Sequence, residues 1–154
     1  EPYRRQRQMC IRDRKMMRRN SAKLYNHKAS NHAQIAIQKL QMIPPEKGKE
    51  FLPEELLGKQ KFHSTWGRLK WDEASPTIDT RFDAASNGTN NHPVLNRSIT
   101  PREAARIQSF DDTYIFYGTK VAVRTQIGNA VPPLMAKAIA DKIYNDTVDE
   151  QGEQ

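Results

Sequence analysis

One cysteine stands in the 154 residues, Cys10, and a lone cysteine cannot close a disulfide within the chain. Four histidines are scattered with no second cysteine among them, so the spacing of a zinc site is missing too, and no metal is expected. The glycines, at 48, 58, 67, 88, 118, 128 and 152, never fall as Gly-x-Gly. That removes the Gly-rich strand-to-helix turn in which many folds cradle a nucleotide-like cofactor. No long apolar run occurs anywhere, so neither a signal peptide nor a membrane span is expected, and the default is a cytoplasmic chain. Hydrophobic residues make up 36% of the whole, less than an independent domain usually carries, which points to a loosely packed piece of something larger.

What is abundant is positive charge, at a formal +7, yet its distribution weakens the obvious reading. Residues 1–20 hold eight Lys/Arg and two acids, leaving 17 basic and 16 acidic residues in the remainder. The opening Arg4-Arg5-Gln6-Arg7-Gln8-Met9-Cys10-Ile11-Arg12-Asp13-Arg14 has no apolar period and resembles translated adapter read-through, so residues 1–14 read as a non-native or disordered leader. The rival reading is a basic arm on a phosphate backbone. The first residue is Glu1 rather than methionine, which fits a truncated reading frame.

Periodicity then divides the chain. Asn31 to Met42 predicts a helix with Ala33, Ala36, Ile37 and Leu40 on one face and Ser30 or Asn31 as its cap, ended by Pro44-Pro45. A short helix is expected after Pro53. Trp66 to Trp71 and Thr77 to Phe82 read as a short antiparallel hairpin, with Leu69 and Trp71 on one face and Arg68 and Lys70 on the other. Ala84 to Asn96 is rich in turn formers and reads as an exposed loop. Thr100-Pro101-Arg102-Glu103 is a capping box with proline at the first helical position, so a helix must start there. Another short helix is expected over Thr119 to Gln126, and Pro132-Pro133 opens a final one bearing Leu134, Ala138, Ile139 and Ile143. From Asp146 the chain reads as a frayed polar tail.

Two segments carry more than periodicity. Arg97-Ser98-Ile99-Thr100-Pro101-Arg102-Glu103-Ala104-Ala105-Arg106-Ile107-Gln108 and Gln126-Ile127-Gly128-Asn129-Ala130-Val131-Pro132-Pro133-Leu134 resemble, in order and spacing, the ninth and tenth conserved motifs of DNA cytosine-5 methyltransferases. Trp66-Gly67-Arg68-Leu69-Lys70-Trp71-Asp72 and Ser75-Pro76-Thr77-Ile78 resemble the target-recognition region of its bacterial and phage members. The resemblance implies that residues 15–98 hold a connecting helix and the recognition region, and that 99–145 hold the two motifs and return to the catalytic domain. It implies that Asn129 and Val131 line the pocket for S-adenosylmethionine, while Gln126 and Gly128 shape the turn. Thr77 and Ile78 would meet duplex DNA beside an extruded base. Arg68, Arg97 and Arg102 are added as candidate DNA contacts, and Thr100 and Glu103 as the structural start of the ninth-motif helix.

The family's chemistry requires a cysteine thiolate in a Pro-Cys motif. Cys10 follows Met9 and lies upstream of where motif order allows the nucleophile, and no Glu-Asn-Val segment occurs. Thr89 stands where an arginine is common, and Asp111 where a proline is common. The expected whole is an α+β fragment of an α/β, Rossmann-like methyltransferase, mostly helical, inactive alone and completed by a missing N-terminal catalytic half. It would sit in a bacterial or phage-infected cell. A separate, non-catalytic DNA-recognition subunit of a split methyltransferase is the alternative, and an unrelated basic nucleic-acid-binding protein is a third.

Overall fold

The computed structural model describes residues 23–57 and 64–152; the leader read at 1–14, with Cys10, lies outside them. Among the described residues five α-helices follow in order: α1 Gln34–Met42, α2 Glu54–Leu57, α3 Pro101–Ile107, α4 Lys120–Gly128 and α5 Pro133–Gly152, with a 3₁₀ turn over Lys49–Phe51 before α2. None is long and apolar enough to cross a membrane, and no group of three or more His, Cys, Asp or Glu gathers among the described residues.

The hairpin expected at 66–82 is not formed. Among the described residues the extended pairing consists of isolated bridges, Arg68 with Asn91 in parallel and Asn91 with Ser98 in antiparallel. Trp66 takes φ 62°, a left-handed conformation that bends the chain at the first residue of the expected strand. Leu69 N–H then donates to Asn91 O at 2.9 Å and Asn91 N–H to Gly67 O at 3.1 Å, while Gly67 N–H goes to Gly88 O and Arg68 N–H to Lys47 O, so residues 67–69 pair with these residues and not with 77–82. The second expected strand turns instead, because the Asp79 carboxylate accepts from Arg81 N–H at 2.7 Å. Leu69 is buried while Trp71 is exposed, so the expected shared face is absent as well.

The 84–96 segment also departs from expectation. Asn90, Asn91 and Ala85 are buried, because the Asn91 amide donates to Gly67 O at 3.0 Å and Ala85 O at 2.9 Å and replaces the solvent a polar loop would seek.

Two apolar clusters hold the fold. The larger gathers Leu69, Ile78, Phe82, Ile99, Ala104, Ala105, Phe116, Val123 and Ile127, with Phe110 packed against it; it joins α3, α4 and the 77–82 segment. The smaller gathers Leu40, Ile43, Leu52, Trp66 and Ala85 under α1. α1 starts three residues later than predicted, and its N-cap Ala33 offers no side-chain acceptor. Ser30, expected as a cap, donates to Asp83 at 3.0 Å. α3 has the predicted capping box: Thr100 Oγ1 accepts from Glu103 N–H at 3.2 Å and Glu103 Oε2 from Thr100 N–H at 2.8 Å. α4, expected over Thr119 to Gln126, starts one residue later and ends two residues later, with Thr119 as its cap. α5 continues past Asp146, where a tail was expected, with Lys137–Asp141 and Lys142–Asp146 pairs one turn apart along it.

Candidate functional site

A cleft of about 310 Å³ opens where the 75–78 segment faces the turn after α4. Ser75, Pro76, Thr77 and Ile78 form one wall, Gly128, Ala130 and Pro132 the other, and Ile107 and Gln108 from the end of α3 also line it. Two of the residues picked from the sequence for DNA, Thr77 and Ile78, therefore meet the turn picked for the cofactor. Thr77 is exposed and able to reach a ligand, whereas Ile78 is buried in the larger core and anchors its neighbour.

The turn itself has two sides. Ala130 and Pro132 line the cleft, while Asn129 and Val131 alternate with them and are exposed, Val131 by 59%. Asn129 closes α4, its N–H donating to Thr125 O at 3.1 Å, and its side-chain amide has no hydrogen bond among the described residues. An open amide beside an open apolar side chain suits one wall of a pocket for a molecule with polar and apolar parts. Gln126 is exposed and donates through Nε2 to Tyr117 O at 2.9 Å, which ties the second half of α4 to the segment that precedes it.

The three arginines picked as DNA contacts have other work. Arg68 is 2% exposed, and all five of its N–H donors are engaged. Nε donates to Ile43 O at 3.1 Å, Nη1 to His92 O and Leu95 O, and Nη2 to Leu40 O and Asn96 Oδ1. It thus closes the carbonyl end of α1 and fixes the 92–96 segment, which leaves nothing for a phosphate. Burial lowers its pKa without neutralising a guanidinium. Arg102 is fully buried in the same manner, with Nε donating to Tyr25 O at 2.9 Å, Nη1 to Asp111 O at 3.0 Å and Nη2 to Tyr114 O at 2.6 Å. Both assignments are corrected on burial: sequence shows a cation, and only the fold shows the carbonyls around it.

Arg97 is half-buried and makes a two-pronged pair with Glu103, at 2.7 and 2.8 Å. Burial alone would raise the Glu103 carboxyl. The Arg97 hydrogen bonds, the Thr100 N–H and the Arg97 charge outweigh it and hold the group at about 2. Arg97 is therefore the buttress of the capping box.

Three residues that sequence reading did not assign stand out. Gln108 is buried and donates through Nε2 to Ile127 O at 2.5 Å, joining the end of α3 to the last turn of α4. Asp83 is buried and accepts from Ser30 and from Arg124 while its own backbone carbonyl takes the Ser98 hydroxyl at 2.8 Å, so one carboxylate binds the 25–32 strap to α4. Arg81 is exposed, and its guanidinium has no partner among the described residues. Its place four residues after Thr77 is the one sequence signal that could have singled it out.

A profile of C-5 cytosine-specific DNA methylases matches residues 4–145. The chain belongs to that family. The matched span opens inside the stretch read as a leader. Type II methyltransferase M.AgeI of Thalassovita gelatinovora is 44% identical over 89 residues, covering 58% of this chain and 20% of its own length. Type II methyltransferase M.DdeI of Desulfomicrobium norvegicum is 35% identical over 145 residues, covering 82% and 34% respectively. The similarity reaches the DNA (cytosine-5)-methyltransferase PliMCI of Paracentrotus lividus, 43% identical over 86 residues, or 53% of this chain and 5% of that protein. The chain thus spans about a third or less of the length of these relatives. Family membership implies an S-adenosylmethionine-dependent methyltransferase fold for the whole, of which the described residues supply a mostly helical part.

Proposed function

We propose that this chain is the recognition and closing part of a DNA cytosine-5 methyltransferase, an enzyme that moves a methyl group from S-adenosylmethionine to carbon 5 of a cytosine flipped out of duplex DNA. The observation that carries the reading is the cleft in which Thr77, from the segment resembling a recognition region, faces Gly128, Ala130 and Pro132 of the turn resembling the tenth motif. S-adenosylmethionine supplies the methyl group when bound. Asn129 and Val131, open on the other side of that turn, are the residues of this chain fit to hold it. Thr77 contacts the DNA backbone beside the target base, and Ile78 fixes its height from the core. Arg81 replaces Arg68 and Arg102 as the cation that meets phosphate, being exposed and without a partner for its guanidinium among the described residues.

No residue of this chain activates the base. Cys10 is preceded by Met9, and no Gly-rich cofactor turn is present, so a catalytic half carrying both must complete the enzyme. Two assays test the reading. The chain alone, incubated with duplex DNA and S-adenosylmethionine carrying a tritiated methyl group, is expected to incorporate none. The same chain grafted in place of the matching third of the Desulfomicrobium relative is expected to give methylated DNA. Methylation by the chain alone would overturn its inactivity, and a folded graft that neither binds nor methylates duplex DNA would overturn the recognition role.

A further inference from the structure

Gly128 is the last residue of α4, and its backbone does not lie in the left-handed region, so no conformational demand explains a glycine there. Space does. A Cβ at this position would lie 2.6 Å from Asp79 C, 2.6 Å from Thr80 N and 2.7 Å from Asp79 O. All three are main-chain atoms, so the cofactor-side turn rests directly on the peptide bond of the recognition segment.

Neither side of this contact is free to retreat. Asp79 accepts from Arg81 N–H at 2.7 Å and from the Asn87 amide at 2.7 Å, while Ile78 and Phe82 on either side of the peptide are buried in the larger core. On the other side Ile127 is buried in that same core and its carbonyl is held by Gln108. Asn129 N–H and Ala130 N–H then bond back to Thr125 O and Ile127 O, at 3.1 and 3.3 Å. Close-packed groups confined from both sides transmit displacement and do not absorb it.

We infer that Gly128 is a positioning residue that locks the Thr77–Thr80 segment and the 128–132 turn into one body, so that DNA held at Thr77 orders the wall that Asn129 and Val131 present to the cofactor. This rests on the proposed function for what binds at each end. The lock itself stands on the contact alone. Its consequence is positive coupling: whichever ligand binds first lowers the ordering cost left for the second.

Amide hydrogen exchange on the whole chain, followed residue by residue, tests the lock with no catalytic half present. Gly128→Ala forces the two walls apart, and exchange at Arg81 is expected to rise about tenfold together with that at Asn129 and Ala130. Should that variant not fold, Asn87→Ala serves, because the Asn87 side chain bonds to Asp79 and to Arg81 O and loosens the peptide from its far side. It is expected to speed exchange at Asn129 and Ala130 as well as at Arg81. Exchange that changes at Arg81 while Asn129 and Ala130 stay as before would overturn the lock. A duplex DNA fragment added to the natural chain is then expected to slow exchange at Asn129 and Ala130, and not in Gly128→Ala. If duplex DNA does not bind the natural chain at all, the recognition reading fails, and the ligand-free exchange still decides whether Gly128 joins the two segments.

Discussion

The region from Trp66 to Asn129 and the helix α5 obey opposite rules. In the first, even cations are buried: Arg68 and Arg102 lie inside and are satisfied mainly by backbone carbonyls from distant stretches of chain. In the second, apolar side chains are exposed from Leu134 and Met135 through Ile139 and Ile143 to Tyr144 and Val148. Among the described residues its tie to the rest is slight, Leu134 N–H donating to Ser109 Oγ at 3.1 Å. The first region is therefore specified by contacts this chain makes with itself. α5 is held by its own backbone and by lysine–aspartate pairs a turn apart, and its apolar surface stays in water.

The sharpest way to break the first region is to empty the Arg68 site. Arg68→Ala leaves the carbonyls of Ile43 and His92 without a donor and takes one of two donors from those of Leu40 and Leu95, which keep Ile43 N–H and Arg97 N–H, and each buried polar group left unpaired costs about 1–3 kcal/mol. Water can re-enter at the partly buried acceptors, so the expected loss is about 4 kcal/mol and not the full sum. Urea unfolding reads it out. A loss under about 1 kcal/mol would mean that Arg68 is a surface cation after all, as its sequence context first suggested.

A smaller loss comes from acid. Glu103 has its carboxyl depressed in the folded chain to about 2, below the ordinary carboxylate value, so its contribution is full above about pH 5 and fades as the pH falls toward 2. The shift sets a ceiling of about 3 kcal/mol, and solvent screening of the partly exposed pair brings the expected loss to about 1 kcal/mol. Urea midpoints measured between pH 6 and pH 2.5 should drop more steeply for the natural chain than for Glu103→Gln, which has nothing to titrate there. Parallel curves for the two chains would show that the Arg97–Glu103 pair contributes no pH-dependent stability.

These two sites also show what a sequence discloses. The capping box around Thr100 and Glu103 was legible because its partners are three residues apart, and proline at the first turn left little other choice for the backbone. The start of α5 was legible for the same local reason, in Pro132-Pro133. Arg68 was misread because its acceptors lie some 25 residues away on either side and its neighbours alternate like a strand. The 84–96 segment was misread because an asparagine paired to two backbone carbonyls is as polar in composition as one in water. Ser30 looked like a cap and was taken by Asp83, a competition no local pattern reveals. In the site, the meeting of Thr77 with the 128–132 turn was not visible from spacing, and neither was the reason Gly128 must be glycine.

The smallest effect is the most direct measure of the contrast between the two regions. Ile127 is fully buried and Ile139 is 48% exposed on α5. Truncating the first to alanine should cost about 2–5 kcal/mol through lost burial and a residual cavity. Truncating the second removes apolar surface that is already wet and replaces a β-branched residue with the best helix former, so Ile139→Ala should change stability by less than about 0.5 kcal/mol, in the stabilising direction if at all. The same substitution becomes informative when a catalytic half is added. If the exposed face of α5 is where that half packs, Ile139→Ala leaves the isolated chain untouched and weakens the assembled enzyme, because burial that does not exist in one state is present in the other. A loss of more than about 1 kcal/mol in the isolated chain would instead show that α5 already packs on its own chain, and the division drawn between the two regions would have to be given up.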